Sequence, residues 1–137
     1  MPKLLALDYG TKRTGIAVTD DSQIIASGLT TVNTKELFSF LTKYFKENEV
    51  TDIILGEPKR LDGSPTHSTV AIEKLKEKLA ETFGKPVHMV DERFTSKMAF
   101  QAMIDGGLKK KQRQNKALID EISATIILQS FMEARRF

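Results

Sequence analysis

Three places in the sequence put carboxylates where metal-assisted or acid–base chemistry is expected. Asp8 ends the apolar run Lys3 to Asp8 (KLLALD) and is followed by Tyr9-Gly10-Thr11, turn residues that stop a strand. A carboxylate at a strand end, with Gly10 and Gly15 after it, stands where an open α/β sheet exposes its binding edge. The same Asp8 also fits a turn cap before a hairpin, and the glycines serve either backbone angles or the close approach of a phosphate. Asp91-Glu92-Arg93 again ends an apolar run, PVHMVD, and reads either as ligands with a phosphate-reaching arginine or as a surface salt-bridge cluster. Asp120 belongs to a final helix, on a face shared with Lys116, Ser123, Ala124 and Ile127 by the three-and-four rule. The small residues on that face let a carboxylate come close to a sheet; alone, Asp120 equally fits a solvated position like that of Glu121.

Together the three sites carry more weight than separately, because phosphodiester hydrolysis with hard divalent ions needs several carboxylate oxygens converging on one point. Two strand ends and one docked helix supply that geometry. Two ions about 4 Å apart would activate the attacking water and stabilise the leaving oxygen. A Ser-His-Asp arrangement is not evident: His67 sits in a polar loop, and His88 alternates with Val87 and Met89 in a strand, so both read as structural. Cysteine is absent, which excludes disulfides, a thiolate metal site and a cysteine nucleophile.

The elements that must hold these residues follow from periodicity and turn chemistry. Lys3 to Asp8, Gly15 to Thr19, and Gln23 to Ser27 continued by Leu29 to Val32 read as three strands in two antiparallel hairpins, with Asp20-Asp21-Ser22 as a turn. Asn33 or Thr34 caps a helix whose apolar residues are Leu37, Phe38, Leu41, Tyr44 and Phe45. Asp52 to Gly56 is a strand, Glu57 to Ser68 a loop, and the next helix buries Val70, Ile72, Leu75, Leu79 and Phe83 before Gly84 ends it. Pro86 to Asp91 is the fifth strand. A helix from Thr95 or Ser96 to about Ile104 and a basic loop come next, then a long helix from Lys116 to Arg136 with Leu118, Ile119, Ile122, Ile126 and Phe131 as its apolar stripe. Strands joined through helices require parallel pairing with right-handed crossovers, so the expected fold is α/β with a mixed sheet and helices on its faces.

A chain of 137 residues is the size of one domain, and 40% hydrophobic and 28% charged residues are ordinary for a globular protein. No apolar stretch is long enough to span a bilayer, and the start of the chain has no leader-like pattern; a cytoplasmic protein without membrane attachment is expected. The charge of +3 and pI near 9.1 are mildly basic, but the basic residues cluster. Lys109, Lys110, Lys111, Arg113 and Lys116 fall in a stretch without acids, and Lys12-Arg13 and Lys59-Arg60 are further pairs. The run reads as phosphate contacts beside the helix of Asp120, against the plain alternative of a solvated loop. The chain's aromatics are mostly phenylalanines at helical core spacing (Phe38, Phe45, Phe83), so backbone and shape recognition is expected rather than base stacking.

DYGTKRTGIAV, LGEPKRLDGS, VDERFTS and KALIDEISATIIL, in that order and spacing, resemble the signatures of the YqgF family, also called RuvX. Its members are described as Holliday junction resolvase-like and as pre-16S rRNA nucleases, with a ribonuclease H-like fold. The resemblance runs from Leu4 to Phe131 and implies a five-stranded mixed sheet of order 3-2-1-4-5. It carries the acidic site onto Asp8, Asp91-Glu92 and Asp120. Of the middle pair, Glu92 is taken as metal ligand and Asp91 as support, since adjacent strand residues point to opposite faces. Asp8, Glu92 and Asp120 are thus the expected catalytic and metal-binding set, with Mg2+ or Mn2+. Arg13, Lys59, Arg60, Asp62, Gly63 and Arg93 match as substrate or loop-fixing positions. Where the family's second motif usually reads Gly-Leu-Pro, this chain has Gly56-Glu57-Pro58, making Glu57 either an exposed loop residue or an added acidic ligand.

The activity so implied is a metal-dependent nuclease acting on structured RNA, the 5′ end of pre-16S rRNA, as a monomer or weak homodimer. Two other readings remain at this level: a resolvase of branched DNA, which would act as a two-fold dimer, and a non-catalytic nucleic-acid-binding assembly factor. Retained carboxylates argue against the last, because uncompensated acids repel a phosphate. An actin-like ATPase reading of Asp8-Tyr9-Gly10 fails for want of a second domain and a second Asp-x-Gly loop.

Overall fold

The computed structural model describes residues 2–57, 68–91 and 115–135. Five strands, β1 (Lys3–Tyr9), β2 (Arg13–Thr19), β3 (Ala26–Asn33), β4 (Val50–Glu57) and β5 (Val87–Asp91), form one sheet in the order β3-β2-β1-β4-β5. β1 to β3 pair antiparallel as two hairpins, while β4 joins β1, and β5 joins β4, in parallel. The expected order and mixed character are both present. Helices α1 (Leu37–Glu47), α2 (Ser68–Phe83) and α3 (Lys116–Ala134) complete the described elements.

Strand alternation sorts the interior into two clusters. Leu5, Leu7, Ile16, Ile53 and Leu55 face α1 and α2, meeting Leu37, Leu41, Ile72, Leu75 and Leu79. Leu4, Ala6, Ala17 and Ile54 face the other way and meet Ala124, Ile127, Leu128 and Met132 of α3. Each fully buried leucine or isoleucine contributes roughly 1.5–3 kcal/mol, so helices on both faces are what make a central strand such as β1 worth burying. Among the described residues no helix is long and apolar enough to cross a membrane.

Several expected details change. The buried face of α3 is Ser123, Ala124, Ile127, Leu128 and Met132, with Phe131 partly packed; the stripe of Leu118, Ile119, Ile122 and Ile126 is only half-buried. Small residues, Ser123 and Ala124, hold the N-terminal half of the contact, next to the place where the helix backbone lies against Gly15. In α2, Ile72, Leu75 and Leu79 are buried as expected, but Val70 is 60% exposed in the first turn. β3 begins at Ala26, because Asp20 to Ile25 form a turn in which Gln23 has a left-handed φ of 56° and Asp20 Oδ1 accepts from the amides of Ile24 and Ile25. Asn33 does not cap α1 through its side chain; a 3-10 turn, Thr34–Glu36, intervenes. Glu57 closes β4 rather than opening a loop, with Asp91 as its Cα partner on β5. The expected helix from Thr95 or Ser96 to Ile104 and His67 lie outside the described residues.

Candidate active site at the strand ends

Because β1, β4 and β5 run parallel, their C-terminal ends share one edge of the sheet, where β2 begins. Asp8, the start of β2 at Arg13, and the first turns of α3 meet there. Leu4 and Ala6 pack against α3, so alternation gives Asp8 the same face. Its cross-strand partner is Gly15, with the two Cα atoms roughly 5 Å apart, as in any antiparallel pair.

Gly15 explains how a helical carboxylate reaches this place. A Cβ on Gly15 would collide with the carbonyl oxygen and carbon of Asp120 and lie 2.9 Å from the amide nitrogen of Glu121. The missing side chain therefore admits neither a special backbone angle nor a phosphate, the two roles expected for it, but the backbone of α3. Gly28 on β3 makes similar room, its would-be Cβ falling 2.5 Å from Glu121 Oε1. The helix is held in place by Thr31 Oγ1, which donates to the carbonyl of Ala117 at 2.6 Å, and its first turn is capped by Asn115 Oδ1, which accepts from Leu118 N at 3.2 Å.

Arg13, two residues before Gly15 and on the same face of β2, donates from Nε to Asp120 Oδ2 at 3.0 Å. Both side chains are partly open, at 34% and 25% exposure, so the bond orients Asp120 more than it stabilises the fold. Asp8 also takes part in an interaction, so neither of the two carboxylates beside Gly15 is without a partner. Ser123, one turn beyond Asp120, is 1% exposed, and its Oγ has no hydrogen-bond partner among the described residues.

The β1–β2 turn is fixed from behind. Thr34 Oγ1 donates to Gly10 O and shares a 3.0 Å hydrogen bond with Thr14 Oγ1, while Thr34 N donates to Lys12 O at 2.9 Å. Beside this turn lies an open cleft of about 420 Å³ lined by Thr11, Lys12, Arg13, Asn33 and Lys35. Of the expected nucleic-acid contacts, Lys12 and Arg13 line it, and exposed Lys116 opens α3. Glu92 and Arg93, Lys59 and Arg60, Asp62 and Gly63, and Lys109, Lys110, Lys111 and Arg113 lie outside the described residues. Among the described residues no cluster of three or more potential metal ligands occurs. β5 does end at Asp91 on this edge, and Glu92 is the next residue in the chain.

The sequence reading missed Thr31 and Lys35, and gave Thr34 only a helix-capping role. Only the first had a visible hint, a polar β-branched run in β3. His88, expected to be structural, has its Nε2 2.6 Å from Asp52 Oδ2, near the strand ends opposite Asp8, and its ring packs on Phe131 with centroids 5.0 Å apart. Alternation gives Glu57 the face of Ile53 and Leu55, opposite Asp8, which argues against its joining that carboxylate as a ligand.

A five-stranded mixed sheet in this order, with α3 packed on the face of Leu4, Ala6 and Ala17, defines a ribonuclease H-like fold. The resolvase of fowlpox virus, solved with Holliday junction DNA, shares it with a TM-score of 0.61 at 13% identity, over 97% of this chain and 98% of that one. RuvC from T. thermophilus, in complex with a Holliday junction substrate, does so with a TM-score of 0.60 at 17% identity, over 99% and 96%. The family model RuvX, described as Holliday junction resolvase, matches residues 2–134, and the chain belongs to that family. Relatives bearing the name "Putative pre-16S rRNA nuclease" include one from Christiangramia forsetii, 59% identical over 96% of this chain and 98% of its own length. Another, from Flavobacterium johnsoniae, is 56% identical over the full length of both.

Proposed function

We propose that this chain is a metal-dependent nuclease that hydrolyses phosphodiester bonds in precursor 16S rRNA, at the 5′ end, in the cytoplasm. The observation that carries the reading is the placement of Asp8 and Asp120 on one sheet face on either side of Gly15, with Arg13 orienting the second. The names of relatives more than half identical over nearly the whole chain support the RNA substrate.

The donor set fits a hard divalent ion, since carboxylate oxygens suit Mg2+ and Mn2+ and the sequence has no cysteine to offer a thiolate. Asp8 and Asp120, with Glu92, would hold it. When bound, such an ion supplies a water of lowered pKa and charge stabilisation at the phosphate. Arg13 keeps one Asp120 oxygen engaged, so the other is presented in a set direction. Lys12, Arg13 and Lys116, with Lys59, Arg60, Arg93, Lys109, Lys110, Lys111 and Arg113, offset the phosphate charge of the strand. The 137 residues act as one domain, as a monomer or weak homodimer.

The family description and the resolvase-type fold favour a second reading, resolution of branched DNA by a two-fold dimer. Purified protein incubated with an end-labelled pre-16S 5′ segment, and separately with a four-way DNA junction, each with Mn2+, Mg2+ or chelator, decides between them. Metal-dependent RNA cleavage that Asp8→Asn abolishes is the expected result. Cleavage of the junction alone favours resolution, and binding without cleavage under every condition sinks both.

A further inference from the structure

The cleft beside the β1–β2 turn does not end at the carboxylate face. Lys35, exposed in the 3-10 turn, lines it and also lines a second cleft of about 440 Å³ on the opposite side of the sheet. That second cleft runs between the end of β1 and helices α1 and α2. Tyr9 and Phe38 lie along it, and Lys74 and Lys78, four apart on one face of α2, stand over it. Among the described residues lining the two clefts, five are cationic and none is a carboxylate, in a molecule whose net charge is only +3. Glu57, on the same sheet face, is not among them.

We infer that Lys35, Lys74 and Lys78 form a phosphate-backbone track that leads a single-stranded flank of the nucleic acid from the Arg13 edge over to the α1–α2 side. The inference rests on the nuclease reading and deepens it by giving the substrate an exit path. Charge is the recognition element. The Phe38 ring is already engaged by Phe83, with centroids 5.7 Å apart, and by Lys78 Nζ at 4.9 Å from its centroid, so the groove follows phosphates without reading bases. Thr34 links the two clefts, because its bonds to Gly10 and Thr14 fix the turn carrying Lys35 against the β1–β2 loop.

The test is equilibrium binding in chelator, where cleavage cannot intervene, of labelled RNA hairpins with and without a single-stranded tail, followed by fluorescence anisotropy over a salt series. The tail is expected to tighten binding by wild-type protein and steepen its salt dependence by about 2 in log–log slope, near 0.7 for each of three phosphate contacts. Lys74→Gln/Lys78→Gln, which leaves the first cleft intact, should lose about 1.4 of that slope and most of the gain while binding the tail-less hairpin normally. Replacement of the same two lysines by arginine should restore it, and a DNA tail should serve as well as RNA. A tail that gives wild-type protein no advantage, or an advantage the double glutamine variant keeps in full, overturns the track and leaves the nuclease reading standing. Failure of wild-type protein to bind either hairpin, both in chelator and with Ca2+ in place of the catalytic ion, overturns both. Lys46→Gln, on α1 outside both clefts, is the charge control, and an unchanged thermal midpoint guards against misfolding.

Discussion

Gly15 lies directly against the main chain of Asp120, so close that a methyl group at position 15 would overlap the Asp120 carbonyl. The obstacle is backbone, which cannot swing aside as a side chain does. Gly15→Ala should therefore push α3 off the sheet, costing about 1–3 kcal/mol of stability and most of the cleavage activity. At Gly28 the neighbour is the flexible end of Glu121, so Gly28→Ala should be much milder in both respects. Thermal melts and cleavage rates of the two variants check this; equal effects would mean that the contact at Gly15 does not position Asp120.

Arg13 and Asp120 should be coupled far more strongly in activity than in stability. Their bond is partly solvent-exposed, so a double-mutant cycle with alanine should give less than about 1 kcal/mol in unfolding free energy. Cleavage by Arg13→Ala, in contrast, should fall about ten- to a hundredfold, because a misdirected carboxylate no longer faces the reacting phosphate. Arg13→Lys should recover little, since a point charge does not reproduce the Nε donor. Rates measured at saturating RNA separate this from a loss of binding.

How much of this could be read from the sequence depended on whether the signal was local. Asp8 at the end of an apolar run, and Asp120 on a face with Ser123 and Ala124, were visible from spacing alone, as was the mixed sheet. The Arg13–Asp120 pair, 107 residues apart, was not, because only the docking of α3 on β2 brings them together. Helix α3 was rotated in the sequence reading for a physical reason: isoleucines and leucines run all round it, so hydrophobicity picked the larger residues at Leu118, Ile119, Ile122 and Ile126. The contact instead selected the face of Ser123 and Ala124, small where Gly15 and Ala17 let the helix sink in, continued by Ile127, Leu128 and Met132. Val70 matched the helical period of α2 but falls in its first turn, at the rim of the core.

Ser123 has a buried hydroxyl without a described partner, which costs on the order of 1 kcal/mol or more relative to an apolar group. Ser123→Ala should raise the unfolding free energy by about 1 kcal/mol in the absence of nucleic acid and metal. Chemical denaturation measures it. A loss of stability would show that the hydroxyl has a partner that the described residues do not include.

Acid should weaken the β2–β3 turn through Asp20. The amides of Ile25 and Ile24 hold its carboxyl below the ordinary 3.8. Its contribution is therefore present above the unfolded value and lost as pH falls through the still lower folded one. Asp20→Ala should be less stable than wild type at neutral pH, and the gap should close as pH drops from about 5 to below the folded pKa. A gap that stays constant with pH would remove ionised Asp20 from the turn.

The central claim is that Asp8 and Asp120, from a strand end and a docked helix, serve one metal site. Calorimetric titration of Mn2+ into wild type, Asp8→Asn and Asp120→Asn tests it most directly, with a thermal melt of each to show that the fold is kept. Both single substitutions are predicted to weaken the same binding event at least about tenfold, because each removes a charged oxygen ligand from a shared ion. If either folded variant bound Mn2+ as the wild type does, the two carboxylates would not share a site and the account would be wrong.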